Sequence, residues 1–299
     1  MRATLMNVLT AAAKKDKNII LLTGDLGYGA VEVFEKECPM QYINCGIAEL
    51  NMLGVAAGLA SEGKKVFIYS IGNFTTERVL EQIRNSVSYM NLDINIIAVG
   101  AGFEYGQLGF SHHTTEDIAC MRAMPNMTIY NPATAVECEA CAKEMLANSG
   151  PKYIRINKKG IGVFGNKNKP IPTLVKNGKD IAIFATGVII EQALIAAEQL
   201  KEQGVDIAVY SFPKIKSIQP KILLNEARKY KKLISLEEHS VIGGFGSMLA
   251  ELFAEEEQRP VLKIMGSKDE FIKTVGDRKT LYKMHGIDAA SIVKEVLKK

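Results

Sequence analysis

The chain has 299 residues, of which 47% are hydrophobic and 23% charged, the composition of a soluble globular protein long enough for two domains of ordinary size. Its 37 basic and 33 acidic residues leave a net charge of +4, too small to indicate binding to nucleic acid or to a membrane surface. No apolar run approaches the length that crosses a bilayer and no charged-then-apolar leader opens the chain, so we expect a cytoplasmic protein.

Five cysteines lie along the chain without the spacing of a disulfide framework. Because their number is odd, we interpret them as free thiols of a reducing compartment. Cys138 and Cys141 have the spacing of a redox motif, but they lie in a helical stretch with no second pair to complete a zinc site. We expect a structural role for both.

Strand-like and helical patterns alternate along the whole chain. This alternation predicts parallel sheets covered by helices, and therefore an α/β fold of two successive parallel-sheet domains. The first domain is predicted at 1–160 and the second at 178–299, joined by a linker at 161–177 that is rich in Gly, Pro, Asn and Lys. The predicted strands are 19–22, 66–69, 94–99, 127–130 and 153–156 in the first domain and 181–185, 205–211, 233–236 and 261–265 in the second.

A short strand at Tyr42 is followed at Gly46 by a helix of small and apolar residues that carries Glu49 in its first turn. A glutamate there is favoured by the helix dipole alone, which is the structural interpretation. The helix is apolar enough to be buried on most sides, and Gly54 and Gly58 would let another helix approach closely. A carboxylate at the start of such a helix is therefore also a candidate functional group.

Phe74 follows the strand at 66–69 and opens a predicted helix. It is either a core aromatic or a face on which a heteroaromatic ring could stack. The glycine-rich run 100–106 follows the next strand, but its third glycine is one residue late for a dinucleotide loop and no helix follows at once. Binding of a nicotinamide or flavin cofactor is thus not favoured.

His112 and His113 lie together in a loop just after a strand end, where open α/β sheets bind ligands. A metal site is one interpretation. However, adjacent loop histidines point in different directions, and Glu116 with Asp117 most simply begins the next helix. An imidazole that handles a proton or a hydroxyl is the preferred interpretation, and we predict no metal ligands in this chain.

In their joint order and spacing, these pieces resemble the C-terminal half of a transketolase, a thiamine-diphosphate enzyme that transfers two-carbon ketol units. The likeness covers the whole chain, and although each piece is a weak signal the combination is a strong one. The matching pieces are Gly24-Asp25-Leu26, Gly46-Ile-Ala-Glu49, Ser70-Ile-Gly-Asn-Phe74, Glu81-Gln-Ile-Arg84, Gly109-Phe-Ser-His112-His113 with Glu116-Asp117, Pro125-Asn126, Glu237-Glu-His239 and Gly243-Gly-Phe-Gly246.

The resemblance implies a pyrimidine-binding domain over residues 1–160 and a transketolase C-terminal domain over 178–299. Transketolases also have a diphosphate-binding domain, and its signature, a Gly-Asp-Gly followed by an Asn, does not occur in this sequence. We therefore predict one subunit of a split transketolase, active only with an N-terminal partner subunit that holds most of the diphosphate and the Mg²⁺. The expected assembly is a homodimer core within a two-plus-two heterotetramer.

The resemblance also assigns roles to individual residues. Glu49 matches the catalytic glutamate that hydrogen-bonds to the pyrimidine ring of the cofactor and favours its reactive tautomer. Phe74 matches the aromatic residue that stacks on that ring, and Asp25 matches the acidic residue at the subunit contact beside the cofactor. His112 matches the imidazole that contacts the donor ketose, where it either transfers a proton or only orients the substrate.

The substrate-binding positions depart from the family pattern. Leu108 stands where sugar-phosphate transketolases carry an aspartate that reads an acceptor hydroxyl. Gly29, Gly100 and Lys158 stand where the family has phosphate contacts, while Arg2 keeps its counterpart. The loss of several anion contacts argues against an ordinary phosphorylated aldose. We expect an acceptor that is unphosphorylated or anionic at a different place, such as a modified or nucleotide-linked sugar.

Two alternatives remain open at this point. The β subunit of a 2-oxo acid dehydrogenase's decarboxylase component has the same two domains and size, although the Gly-Phe-Ser-His-His loop is more like a transketolase. A non-catalytic scaffold subunit could also keep the fold, but the joint presence of Glu49, Phe74 and His112 speaks against lost chemistry. The second domain carries no chemical signal of its own, and the sequence does not name the donor, the acceptor or the pathway.

Overall fold

Two mostly parallel sheets, each covered by helices, make up residues 1–298, which are the residues that the computed structural model describes. The predicted α/β fold class with two successive parallel-sheet domains is confirmed. The strands predicted from the sequence are all present. Runs of buried, mostly apolar residues such as Ile19–Thr23 form central parallel strands because both of their faces are covered.

The strands of the described chain are, in order, β1 (Ile19–Thr23), β2 (Tyr42–Asn44), β3 (Lys65–Ile71), β4 (Ile94–Val99), β5 (Thr128–Tyr130), β6 (Lys152–Ile156), β7 (Thr173–Lys176), β8 (Ile181–Thr186), β9 (Ile207–Ser211), β10 (Lys214–Lys216), β11 (Lys232–Ser240) and β12 (Val261–Ser267). The first sheet has the order β10-β5-β6-β4-β3-β1-β2 and the second the order β12-β11-β8-β9-β7. Edge strands β10 and β7 each run antiparallel to their neighbour, and the other pairs are parallel.

The edge strands β7 and β10 lie where the sequence analysis predicted no strand. Strand β7 falls inside the predicted linker and pairs with β9 of the second sheet. Strand β10 comes from the second half of the chain and pairs with β5 of the first sheet, with Lys214 opposite Tyr130. The exact bounds of the two domains stay a prediction.

The helices are, in chain order, α1 (Arg2–Ala13), α2 (Glu32–Glu37), α3 (Glu49–Ser61), α4 (Leu80–Gln82), α5 (Asp117–Ala123), α6 (Ala135–Ala147), α7 (Ile190–Lys201), α8 (Pro220–Ala227), α9 (Phe245–Ala254), α10 (Arg278–His285) and α11 (Ala289–Leu297). Helix α4 continues into a π-helical turn at Ile83–Ser88. Within the described part of the chain, no helix is both long enough and apolar enough to cross a bilayer.

The chain after β3 does not form the single helix predicted from Phe74. Two 3₁₀ turns, Gly72–Phe74 and Glu77–Val79, come before α4. The hydroxyls of Thr75 and Thr76 both donate to the backbone oxygen of Gly72, at 3.0 and 2.8 Å. Such local side-chain bonds compete with regular helix and hold Phe74 in a tight turn at the sheet edge.

Helix α3 is buried on one face only. Met52, Leu53 and Ala56 pack into the core, whereas Leu50 is 50% exposed and a methyl group added at Gly54 would meet no atom within 4 Å. The expectation that this helix is buried on most sides is therefore wrong for the single chain. Its open face is apolar and built of small residues.

A buried polar network joins the two sheets. Arg155 on β6 lies 2.8 Å from the carboxylate of Asp117 and also donates to the backbone oxygen of Glu238 on β11 at 3.0 Å. The carboxylate of Glu238 accepts a hydrogen bond from the backbone of Phe103 at 2.7 Å and lies 3.1 Å from Arg278. These bonds connect the loop after β4 to the second sheet.

Candidate functional site

Glu49 is the first residue of α3 and is only 3% exposed. The chain reaches it through a turn in which Gly46 has a φ of +70°, a conformation that disfavours other residues. The side-chain oxygen of Asn44 accepts from the backbone of Gly46 at 3.0 Å and so fixes this turn. A methyl group at Gly24 would lie at an ordinary van der Waals distance, 3.6 Å, from the Glu49 carboxylate, so Gly24 lies directly beside that carboxylate.

The carboxylate of Glu49 has two polar neighbours. The guanidinium of Arg78 donates to Oε2 at 2.6 Å, and the hydroxyl of Ser70 at the end of β3 lies 3.5 Å from Oε1. A buried carboxylate needs such a partner, because an unpaired charge in this setting is costly. The glutamate therefore faces the C-terminal edge of the first sheet.

Phe74 and His112 are in contact, with ring centroids 5.4 Å apart in an edge-to-face arrangement. The guanidinium carbon of Arg78 lies 4.1 Å from the centroid of Phe74, so this one cation contacts both Phe74 and Glu49. Nδ1 of His112 lies 3.0 Å from the hydroxyl of Ser111, which orients the imidazole. The structure thus brings three of the predicted residues, Glu49, Phe74 and His112, into one cluster.

The two adjacent histidines point in different directions, as predicted. His113 is buried, lies 5.4 Å from the ring of Phe103 in an edge contact, and has Nε2 3.4 Å from the backbone oxygen of Gly106. Burial lowers the pKa of His113. Asp117 turns instead to Arg155. In residues 1–298 no three His, Cys, Asp or Glu side chains are grouped so that they could hold a metal ion.

Asp25 lies at the edge of this site. Its backbone has a φ of +55°, and its carboxylate accepts a hydrogen bond from the side-chain amide of Asn44 at 3.0 Å. Through Asn44 it is connected to the Gly46 turn that carries Glu49. The carboxylate of Asp25 is thus fixed next to the start of α3.

Lys158 lies against the ring of Tyr105, and the charge of Arg2 acts on the phenol of the same residue. The ammonium of Lys158 lies 4.8 Å from the centroid of that ring. Burial raises the pKa of the Tyr105 phenol, and the charge of Arg2 opposes the rise. A methyl group at Gly100 would lie only 2.2 Å from the Tyr105 ring, so Tyr105 occupies the space where a side chain at position 100 would stand.

Leu108 lies in a 3₁₀ turn, Gly106–Leu108, directly before the turn that carries His112. Its side chain is 55% exposed. Phe110 is also exposed, and its ring centroid lies 6.5 Å from that of Phe271 in the second domain. Two apolar side chains, Leu108 and Phe110, are therefore exposed at the rim next to His112.

Sequence reasoning missed four residues of the site. Ser70 and Ser111 each touch a predicted residue, Arg78 joins Glu49 to Phe74, and Tyr105 fills the space beside Gly100. Only Arg78 had a usable signal, because it lies four residues after Phe74. The contact of Ser70 with Glu49 joins separate segments, while those of Ser111 and Tyr105 depend on the fold of irregular turns that show no sequence periodicity.

Comparison with known proteins matches both halves of the chain to family models. Residues 1–162 match the pyrimidine binding domain of transketolase, and residues 173–292 match the transketolase C-terminal domain. A putative transketolase C-terminal section from Methanocaldococcus jannaschii is 35% identical, with 99% of this chain and 95% of that protein covered.

Two further similar proteins are matched over nearly their full length. The 6-deoxy-6-sulfo-D-fructose transketolase subunit SqwH of a Clostridium species, strain MSTE9, is 34% identical over 98% of this chain and 92% of its own length. A solved structure described as a split gene transketolase, inactive β4 tetramer, superposes with a TM-score of 0.86 at 34% identity, covering 99% of this chain and 96% of that one.

Proposed function

The chain belongs to the transketolase family, and on that basis we propose that it transfers a two-carbon ketol unit from a ketose donor to an aldehyde acceptor together with a partner subunit. We propose that it is the C-terminal section of a split transketolase, since it matches relatives described as a transketolase C-terminal section and a transketolase subunit over nearly their full length. The observation that carries the proposal is the cluster of buried Glu49 with Phe74 and His112 at the edge of the first sheet.

The residues present fit the pyrimidine half of thiamine diphosphate. The planar guanidinium of Arg78 lies over the ring of Phe74 and donates to Glu49, so there is room there for a planar group with a hydrogen-bond donor. Thiamine diphosphate, when bound, supplies the nucleophilic carbon that accepts and releases the two-carbon unit. Glu49 would hold a proton at the pyrimidine ring nitrogen, and Phe74 would take the face of the ring.

His112 is proposed to contact the hydroxyls of the donor ketose. Its Nδ1 is engaged by Ser111 and its ring is held against Phe74, which leaves Nε2 for a substrate. From this position it either transfers a proton or only orients the donor.

An N-terminal partner subunit is proposed to hold the diphosphate and Mg²⁺ and to complete the site. Three features support this. A relative covered over 92% of its length is described as a transketolase subunit, and the similar solved chain is described as a split gene transketolase, inactive β4 tetramer. The apolar face around Glu49 is open, with Ile47 77% and Leu50 50% exposed. We propose a homodimer core within a heterotetramer, with Asp25 at the subunit contact.

The acceptor is proposed to differ from an ordinary sugar phosphate. Leu108 offers no acid to read an acceptor hydroxyl, and Tyr105 fills the place beside Gly100. Arg2 and Lys158 remain as cations near Tyr105 and are proposed to contact the substrate. The similarity to a subunit named for a sulfonated sugar agrees with an acceptor or donor of modified chemistry. We place the enzyme in the cytoplasm, where its five free cysteines would stay reduced.

The test is to purify this chain with the subunit that co-purifies with it and to measure binding of thiamine diphosphate and Mg²⁺ by calorimetry. We expect the pair to bind the cofactor and either subunit alone to fail. Competing aldehydes with the loaded pair then rank the acceptors, and best turnover on ribose 5-phosphate or erythrose 4-phosphate would overturn the assignment of an unusual acceptor. Pyruvate with a dye acceptor separates ketol transfer from oxo-acid decarboxylation.

A further inference from the structure

Arg78 contacts both of the residues, Glu49 and Phe74, to which the proposed function assigns the binding of the cofactor ring. Its Nη1 lies 2.6 Å from Oε2 of Glu49, and its guanidinium carbon lies 4.1 Å from the centroid of Phe74. The carboxylate accepts from one amino group of the guanidinium, and the guanidinium lies over the ring of Phe74. A pyrimidine ring held by the same residues would need the same carboxylate and the same face of Phe74.

The two occupants exclude each other. Glu49 is 2% exposed at its side chain, so only a group that reaches into the site can pair with it. Only one planar group can lie on this face of Phe74 at van der Waals distance. We propose that Arg78 closes the pyrimidine site of the free subunit and that the cofactor ring must displace it, an inference that rests on the proposed function.

The position of Arg78 explains both why it pairs with Glu49 in the free subunit and how it can move away when the cofactor binds. It neutralises Glu49, for which the only other polar contact in the described residues is Ser70 at 3.5 Å. Its own side chain is 42% exposed, so the released guanidinium can return to water without crossing the core. It also lies within the 3₁₀ turn Glu77–Val79, directly before the three-residue helix α4, where few backbone bonds would have to change.

Displacement of Arg78 lowers the apparent affinity for the cofactor, because the ring must first break an ion pair and a cation–π contact. Both contacts are partly exposed and are therefore weak to moderate. Removing them should strengthen cofactor binding by about tenfold. If Arg78 instead stayed beside Glu49 in the loaded enzyme, its removal would weaken binding, since a useful contact would be lost.

The experiment measures thiamine diphosphate binding to the purified pair by titration calorimetry in saturating Mg²⁺. The variants are Arg78→Ala, which removes both contacts, and Arg78→Gln, which keeps a planar group without the charge. Arg228→Gln is the matched control, because Arg228 is a similarly exposed arginine in an ion pair, with Glu256, in the second domain. We expect about tenfold tighter binding for Arg78→Ala, a smaller gain for Arg78→Gln and no change for the control.

A second readout separates closure from a merely structural role. Without cofactor, the Arg78→Ala pair should melt at a lower temperature than wild type, since Glu49 has lost its partner, and this difference should vanish once cofactor is bound. Unchanged or weaker binding of the cofactor by both Arg78 variants would overturn the inference. If the wild-type pair itself binds no thiamine diphosphate, the proposed function fails, which is a distinguishable result.

Discussion

The guanidinium of Arg155 lies 2.8 Å from the carboxylate of Asp117, and both side chains are almost wholly buried, at 1% and 0% exposed. Tyr153 donates to the other carboxylate oxygen, and Arg155 reaches on to the backbone of β11. The pair therefore joins the base of the His112 loop to both sheets. Because removal of one member leaves a buried charge unpaired, this contact is a sensitive point for stability.

We predict that Arg155→Met lowers the free energy of unfolding by about 3 kcal/mol, because Asp117 would stay buried without its cation. Urea denaturation of the purified chain measures the loss. The control is Lys176→Ala, which breaks an exposed ion pair with Glu198 and should cost less than about 1 kcal/mol. Equal losses of unfolding free energy in the two variants would show that the buried Arg155–Asp117 pair contributes no more to stability than an exposed ion pair.

We predict that Glu49→Gln lowers ketol transfer by the loaded pair by about 10² to 10⁴ fold, since an amide cannot hold and return a proton at the pyrimidine nitrogen. Turnover of a ketose donor measures the effect. Glu62→Gln is the control, because Glu62 is an exposed residue at the other end of the same helix. Activity within a few-fold of wild type in Glu49→Gln would favour a non-catalytic scaffold.

The adjacent histidines should respond in opposite ways. His112→Asn is expected to reduce kcat/KM for the ketose by about 10² fold while the melting temperature stays the same, because its ring is only partly buried. His113→Asn is expected to lower the melting temperature, since it loses its packing against Phe103. Steady-state kinetics and thermal unfolding of both variants check the pair, and a reversed pattern would contradict the assignment of His112 to the site.

Leu108→Asp is expected to place beside His112 a carboxylate that accepts hydrogen bonds from the hydroxyl groups of the acceptor. One added hydrogen bond to a charged group should improve kcat/KM for hydroxylated aldoses about tenfold relative to the native acceptor. Ratios of kcat/KM for competing aldehydes measure the shift. Leu174→Asp, an exposed leucine of the second sheet, serves as the control for the added charge. Equal ratios of kcat/KM in both variants would contradict the assignment of Leu108 to the acceptor site.

Glu137 makes stability depend on pH. Burial raises the pKa of Glu137 to about 7, while in the unfolded chain it stays near 4.5. Between these values the folded chain holds a proton that the unfolded chain lacks, so this residue's contribution to stability falls as pH rises from about 4.5 to 7. Glu137→Gln removes the effect, and its stability relative to wild type should rise by up to about 3 kcal/mol over that interval. Urea denaturation of both proteins at pH 5 and pH 8 measures the difference, and a constant difference would disprove it.

The parts of the fold that could be predicted were the elements with a clear local pattern of apolar residues in the sequence. Runs such as Ile94–Val99 are apolar apart from Asn95 and are typical of central parallel strands. The three-residue strand Lys214–Lys216 has a polar residue at each end and no such pattern, so its pairing with β5 could not be inferred. The open face of α3 was hidden for another reason: its composition is that of a buried helix, and only the tertiary arrangement shows which side is covered.

In the site, residue types could be predicted but their pairings could not. Glu49, Phe74 and His112 were named from the sequence, and the structure places them together. The bond between Glu49 and Arg78 spans 29 positions and depends on two turns at the sheet edge. Likewise, nothing in the two neighbouring imidazoles distinguishes the buried one from the accessible one until the loop is folded.

Strand β10 makes the two halves of the polypeptide hard to separate as recombinant fragments. It comes from beyond the linker, yet it covers the edge of the first sheet at Thr128–Tyr130. A fragment that stopped before it would present an unsatisfied strand to other molecules and would tend to self-associate. Exchange of this module between related enzymes therefore has to move the polypeptide as one piece.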